Sequence, residues 1–567
     1  LKFSRRSLRA AAISGSALAL FFQSAIAAPI TASAASAALP NCGATIAMGS
    51  SHALALRADG TVWAWGRNSI GQLGNNDATH TNSNTPVEVT DAAGTGALSA
   101  VVAIAAGGDH SMALRTDGTV WSWGNNGDGE LGNNDGTHTN TDRPVQAVGV
   151  GGAGLLTNVV AIAAGRYHEL AVLDDGTMVS WGRNDFGQLG INDNATVPNS
   201  DYPRHVVGTS GSGNLGGVTA IGAGNYYSMA LLNDTTVVTF GQNDTGQLGD
   251  GTNGSGATDT PQHVLVAPAG ANFTGVKEIA PNRHQALALK TDGTIWGWGS
   301  NATDELGQGP SGNSEYDNPV QVHGIGDSGN LTGVTALSMG GHHALGLQPD
   351  TSVLSWGKNS NGQLGQGTSG GTVSDPAAVS TLGSVVELGT GDNSSMALKS
   401  DGTVWTFGYG GDGELGNGTN ASTQNTAVQV SQASGLTAVP GACLAVSAVN
   451  AASTSCNGGV PVTITGSGFL GATSVKFGGV EAQSFVVNSD TQISAVSPAT
   501  AEGNSNVTVT TPRGTSAVAG ATFDCVLPNL PQAGSGVGRP PLAWPAVLAL
   551  VAVALGAGAA TLARRRP

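Results

Sequence analysis

Seven copies of one motif run through this chain, and they limit its fold more than any other feature. The first reads HALALRADGTVWAWGRNSIGQLG (His52 to Gly74) and the second HSMALRTDGTVWSWGNNGDGELG (His110 to Gly132). The rest begin at His168, Tyr227, Gln285, His343 and Ser395. With Asp59, Asp117, Asp175, Asp234, Asp292, Asp350 and Asp401 as anchors, successive copies lie 58, 58, 59, 58, 58 and 51 residues apart. A fixed period of this size signals stacked supersecondary units, each burying its faces against its neighbours. Function is then to be sought on the assembled surface.

Within a copy, the runs His110 to Leu114 and Thr119 to Trp123 read as strands around the turn Asp117-Gly118, where glycine supplies a positive φ. Val101 to Gly107 reads as a strand before them, and Pro144 to Val148 as a fourth at the edge, where proline is tolerated. Apolar residues at both parities, as in Val120, Trp121 and Trp123, predict sheets covered on both faces. Four strands per unit, seven units and no long amphipathic helix predict an all-β, seven-bladed propeller.

The same residues resemble the repeat of the regulator of chromosome condensation family, over about residues 45 to 440, in the pattern G-x-x-H-[ST]-x-A-L-x-x-D-G-x-V-W-x-W-G-x-N-x-x-G-Q-L-G. That resemblance implies a seven-bladed β-propeller. It also implies a range of binding roles: nucleotide exchange on a nuclear GTPase, parts of ubiquitin ligases, light reception and, in secreted bacterial relatives, inhibition of β-lactamases. Copies four and six depart at the turn glycine, carrying Thr235 and Thr351, and copies four, five and seven lack the first histidine. Those blades are expected to turn differently within the same fold. Downstream, Pro461 to Pro498, with TPRGTS after it, resembles the immunoglobulin-like domain shared by plexins and transcription factors. Such modules act as spacers in bacterial surface proteins.

The ends carry address signals. Arg5, Arg6 and Arg9 precede the apolar stretch Ala10 to Phe22 and the small-x-small site Ala25-Ile26-Ala27, which reads as a secretory signal cleaved after Ala27. Sec and twin-arginine export both stay open. Trp544 to Ala563 is uncharged and long enough to span a bilayer as a transmembrane helix, with Arg564 to Arg566 as a positive stop. Before it, LPQAG (Leu530 to Gly534) resembles the cell-wall sorting signal of sortase substrates in Gram-positive bacteria. The resemblance implies cleavage between Ala533 and Gly534, with Ala533 joined to the wall; the alternative is a plain membrane anchor. The expected division is a signal over 1–27, a linker over 28–41, the propeller over 42–443, the immunoglobulin-like β-sandwich over 444–526, and the sorting or anchoring segment over 527–567. Both readings put the body outside the cell, on the envelope.

Four cysteines suit an oxidising compartment. Cys42 and Cys443 bracket the repeats, Cys456 and Cys525 bracket the next segment, and three pairings are open. If the repeats close into a ring, Cys42 with Cys443 ties its ends and Cys456 with Cys525 ties those of the sandwich. No CxxC exists to suggest metal binding by these four.

The formal charge is -16, and eight of the 22 basic residues lie in the end segments. An acidic body repels phosphate backbones, so no nucleic-acid partner is expected. His52, His110, His168 and His343 occupy matching positions. Seven-fold spacing sets them too far apart for one metal, and they are expected to hydrogen-bond backbone between blades. The pairs Trp63/Trp65, Trp121/Trp123 and Trp296/Trp298 share a sheet face at i, i+2 and are expected to pack between blades. Loops such as Asn75 to Asn84 and Asp250 to Asp259 offer calcium-type oxygens without the spacing of a calcium loop, and read as solvated. No cofactor is expected, with calcium at these loops left open as the alternative.

The resulting expectation is a non-catalytic surface protein whose propeller loops bind an extracellular protein or glycan, with the membrane or wall as anchor. Inhibition of an extracellular enzyme such as a β-lactamase is the second binding role. A carbohydrate-active enzyme, with two loop carboxylates about 5 to 9 Å apart at the propeller mouth, is the alternative of a different class.

Overall fold

The computed structural model describes residues 44–525, apart from 194–195, 255, 268–269, 311–312, 434, 437–438, 441–443, 452–454, 501–502, 512–513 and 517–521. The signal, the linker, LPQAG with Ala533 and Gly534, the apolar span, Cys42 and Cys443 lie outside the described residues. No helix among the described residues is long and apolar enough to cross a membrane.

Every copy forms a four-stranded antiparallel sheet with strands in chain order. Blade two runs Val101–Ala106, His110–Arg115, Val120–Gly124 and Thr141–Gln146. The fourth strand thus begins three residues before the predicted Pro144, which sits inside it. Leading strands of successive blades pack side by side around an axis, and Ile46–Met48 of blade one closes on Val385–Thr390 of blade seven. The ring is complete.

Among the described residues the ring has no single central core. Apolar side chains form seven clusters, one at each seam between blades. The second strand of each blade is buried on both faces, which accounts for the loss of strict alternation in the sequence. At the last seam, Leu436 and Val439 join Ile46, Trp63 and Trp65, and Thr45 N–H donates to Glu387 Oε1 at 2.9 Å.

Copies four and six do not turn differently. Thr235 and Thr351 take φ of 69° and 68°, the left-handed region that Gly60 holds at 81° elsewhere. A β-branched residue is strained there. Each threonine hydroxyl accepts a backbone N–H from the approach to the next blade, Gly275 at 3.0 Å and Ser384 at 3.1 Å, which offsets the strain.

After the ring, two sheets form a small sandwich. Ala445–Ala451, Pro461–Ser467, Gln492–Val496 and Ser484–Ser489 make one; Val480–Glu481, Ser474–Phe477, Gly503–Thr511 and Gly514–Thr515 make the other, with Thr522–Cys525 beside Gly503–Thr511. Ile464, Val475, Phe477 and Phe523 fill the space between them, and a disulfide joins Cys456 to Cys525.

Candidate binding face and the seams that hold it

The closing glycine of each copy explains the last letter of Gly-Gln-Leu-Gly. Gly74 has φ 61°, and a methyl there would fall 2.6 Å from Trp123 Nε1 of the next blade. The glycine is thus the floor on which the neighbouring aromatic ring lies. The residue two before it presents its backbone carbonyl across the seam. Gln72, Glu130, Gln247, Glu305 and Glu414 each accept from the indole N–H of the following blade, Trp123, Trp181, Trp298, Trp356 and Trp65, at 2.9 to 3.1 Å.

Two blades carry phenylalanine instead, Phe240 and Phe407, and have no indole to donate. There Ser228 Oγ donates to the Gln188 carbonyl at 2.7 Å and Ser395 Oγ to the Gln363 carbonyl at 2.8 Å. Every seam therefore keeps a donor for that buried carbonyl.

The histidines meet the same serines. His52, His168 and His343 pair through Nε2 with Ser111, Ser228 and Ser395 of the next blade at 2.9, 2.8 and 2.8 Å. Since each serine gives its proton to a carbonyl, including Ser111 to Gln72 at 2.9 Å, the histidine must be the donor, in its neutral Nε2–H form. Burial holds these three imidazoles far below their ordinary range, at about 3. The expected partner was backbone; the structure supplies a hydroxyl instead.

Blade two departs. His110 meets Glu169, a buried ion pair in which burial opposes the imidazolium but the charge of Glu169 raises the histidine above its usual range. Where the histidine is missing, Tyr227 hydroxyl donates to the Gln285 carbonyl at 2.5 Å and Gln285 Nε2 to the Gly341 carbonyl at 2.9 Å. The four histidines are structural seam residues.

The second tryptophan of each pair is fully buried, as expected from packing between blades. The first stands nearer the rim, beneath a cation: Arg57 over Trp63, Arg115 over Trp121 and Lys290 over Trp296, at 5.9, 5.8 and 5.7 Å. The Asp-rich loops satisfy their carboxylates internally: Asp77 accepts from the backbone of Thr79 and Thr81, and Asp250 from that of Thr252.

The turns between first and second strands converge on the axis. Their small residues, Gly49, Gly107, Gly165, Gly224 and Gly391 among them, allow close approach and leave a cavity of about 50 Å³. That volume holds water, not a sugar or cofactor, whose sites run to several hundred Å³. Two arginines from across the ring close on Asp392 of blade seven. Arg283 reaches it through Nε at 3.2 Å and Nη2 at 3.1 Å, and Arg166 through Nη1 at 3.4 Å. Burial would raise the Asp392 carboxyl, but the hydrogen bond and charge of Arg283, with Arg166 behind it, hold it below the ordinary range. The carboxylate at the centre is met by guanidinium groups, an arrangement that positions the loops.

Beside this junction, on the same turns, Tyr167 and Tyr226 stack at 5.1 Å, and Phe186 meets Tyr226 edge-on at 5.2 Å. Arg183 lies over both tyrosines at 5.3 and 5.4 Å, and Arg166 Nε donates to the Tyr167 hydroxyl at 2.8 Å. All five side chains are half-buried. This packed aromatic and arginine patch was missed in the sequence. Tyr167 and Tyr226 hold the same repeat position, just before His168 and Tyr227, where the other copies carry Ser51, Asp109, His284, His342 and Asn393; that recurrence was the available signal.

Comparison with known proteins agrees with this architecture. The RCC1-like domain model matches residues 23–326, more than half of the chain, and a regulator of chromosome condensation (RCC1) repeat matches 350–398. An IPT/TIG domain matches 444–524. The ultraviolet-B receptor UVR8 of Arabidopsis thaliana is 28% identical over 327 residues, 57% of this chain and 67% of the receptor. The human E3 ubiquitin-protein ligase HERC2 is 29% identical over 323 residues, 57% of this chain but 6% of the ligase. Among solved structures, human WBSCR16 superposes with TM-score 0.55 at 21% identity, covering 66% of this chain and 94% of that one. Prp20p of Saccharomyces cerevisiae, whose binding to Gsp1p and histones has been characterised, gives 0.50 at 22%, covering 62% and 81%.

Proposed function

From the premise that the chain belongs to the RCC1-like family, we propose that it is a non-catalytic binding protein whose propeller engages an extracellular protein through the Tyr167, Tyr226, Phe186, Arg166 and Arg183 patch. The patch carries this reading. Aromatic and arginine side chains packed together at the centre of a face are the residue types that dominate protein-protein affinity. Each of the five already packs against another, so their contact needs less new ordering on binding. The family relatives are binding or regulatory proteins, and the match spans only a small part of the ubiquitin ligase, so ligase activity is not carried over.

The sequence signals at both ends support display on the envelope of a Gram-positive bacterium, with the immunoglobulin-like module as spacer and the LPQAG segment as wall or membrane attachment. Inhibition of a secreted enzyme is the variant of this reading in which the partner is itself catalytic. A carbohydrate-active site finds no support in the axial cavity, which is too small for a sugar ring.

The test is binding of the purified chain to arrayed surface and secreted proteins and to wall and host glycans at physiological salt. Saturable binding should weaken at least about tenfold in Tyr226→Ala and in Arg183→Ala, and stay unchanged in Asp401→Asn at an exposed turn of the opposite end. Binding indifferent to both patch substitutions sinks the assignment of this face, and a glycan ligand sinks the protein-partner reading.

A further inference from the structure

Three departures from the repeat meet at the rim between blades five and six. The connection leaving each of the first five blades opens on a bridge residue, Thr90, Val148, Val207, Leu265 and His323, and histidine occurs there only in blade five. Four positions on, blades one to three carry Gly94, Gly152 and Gly211, with φ of 72°, 84° and 75°. Blade five carries Asp327 at φ 58°. A side chain in that conformation is strained where glycine is not.

The third position lies before the proline of the following blade's outer strand, and it faces this connection around the ring. Arg143 and Tyr202 come within 3.1 and 3.4 Å of where a methyl on Gly94 or Gly152 would sit. At the seam in question the residue is Asp375. Ligand atoms of His323, Asp327 and Asp375 all fall within 4.8 Å of one another, and His323 Nδ1 stands 2.6 Å from Asp327 Oδ1. Asp375 Oδ1 is shut off from solvent and takes no hydrogen bond among the described residues. Burial, then the neighbouring charge of Asp327, push its carboxyl above the ordinary range. A buried acceptor without a donor is costly, and a cation removes that cost.

We propose that His323, Asp327 and Asp375 form a binding site for a divalent transition-metal ion such as zinc, which staples blade five to blade six. One imidazole nitrogen with two carboxylate oxygens is a donor set that zinc accepts, leaving a fourth position for water. Calcium and magnesium take oxygen sets and gain nothing from the imidazole. For Nδ1 to bind the ion, the neutral ring carries its proton on Nε2. The site is separate from the aromatic patch, and its test does not depend on the partner.

The repeat itself supplies variants that should keep the fold: Asp327→Gly, His323→Val and Asp375→Thr each restore a residue found at the same position in another blade. Zinc chloride titrated into the metal-free full chain by calorimetry should show one site that each reversion weakens at least about tenfold. The zinc-induced rise in unfolding temperature should vanish with it, while the unfolding temperature in chelator stays at or above that of the parent. Asp375→Asn, isosteric with the parent, should repeat the loss should Asp375→Thr fail to fold. The proposal is overturned by zinc binding of equal affinity in all the variants, which places the ion on other histidines, by absence of binding up to about 1 mM, or by calcium binding as tightly as zinc.

Discussion

Ser395 Oγ donates to the backbone carbonyl of Gln363 at 2.8 Å, at one of the two seams where phenylalanine, here Phe407 on the strand beside Ser395, stands in place of tryptophan. Ser111 makes the same bond to Gln72, but there Trp123 Nε1 donates as well, at 3.0 Å. Both serines also receive a histidine. Ser395→Ala therefore strips the carbonyl of its cross-seam donor, and Ser111→Ala does not. The expected loss is about 2–3 kcal/mol for Ser395→Ala against about 1 kcal/mol for Ser111→Ala, read from urea midpoints of the two variants. Equal losses would mean that the serine does not stand in for the indole.

Thr235 balances strain against a hydrogen bond. Thr235→Ala keeps the left-handed φ of 69° and loses the bond from Gly275, so it should cost about 1–2 kcal/mol. Thr235→Gly loses the bond but relieves the strain, and should stay within about 1 kcal/mol of the parent. Thermal unfolding of the pair checks the sign, and an alanine variant as stable as the glycine one contradicts it.

Glutamate replaces glutamine in the closing motif of three blades, with opposite consequences. Burial pushes Glu414 up to about 7 from its ordinary 4.5. Its contribution is thus full below about pH 4.5 and lost as pH rises to about 7, where the ionised form is disfavoured. Glu414→Gln should gain up to about 3 kcal/mol above pH 7 and nothing below pH 4.5. At Glu305 burial also raises the carboxyl, but His342 at 3.9 Å and the N–H and hydroxyl of Thr303 together outweigh it, and the group ends below its ordinary range. Its contribution is present above about pH 4.5 and lost as pH falls further, so Glu305→Gln should destabilise at neutral pH. Stability against pH for the two variants should diverge in opposite directions.

Much of the fold was legible because the repeat is local. The hairpin around Asp117-Gly118 and the burial of Trp65 and Trp123 follow from residues within one copy, and the blade count from the number of copies. The seam pairing was written in the sequence but spread over two copies. His52, His110, His168 and His343 are each followed, one blade on, by Ser111, Glu169, Ser228 and Ser395, whereas Tyr227, Gln285 and Ser394 are followed by Ala286, Ala344 and Ala53. Reading each copy against its consensus hides that alternation, and only the register between neighbours shows it. The junction of Arg166 and Arg283 on Asp392 was not legible at all. Its members sit at turn positions that vary freely and meet across the axis, 226 and 109 residues apart in sequence.

The pairing of histidine with serine or glutamate also limits which blades can follow one another. A ring that skipped blade four would set His168 against Ala286, and one that skipped blade seven would set His343 against Ala53, each stranding a buried imidazole. Near-identical units ordinarily invite misordered closure, since any blade can pack on any other. Here a histidine edge closes only on a blade that carries serine or glutamate at the facing position, so the closed circle rejects some orders of the blades as well as some compositions.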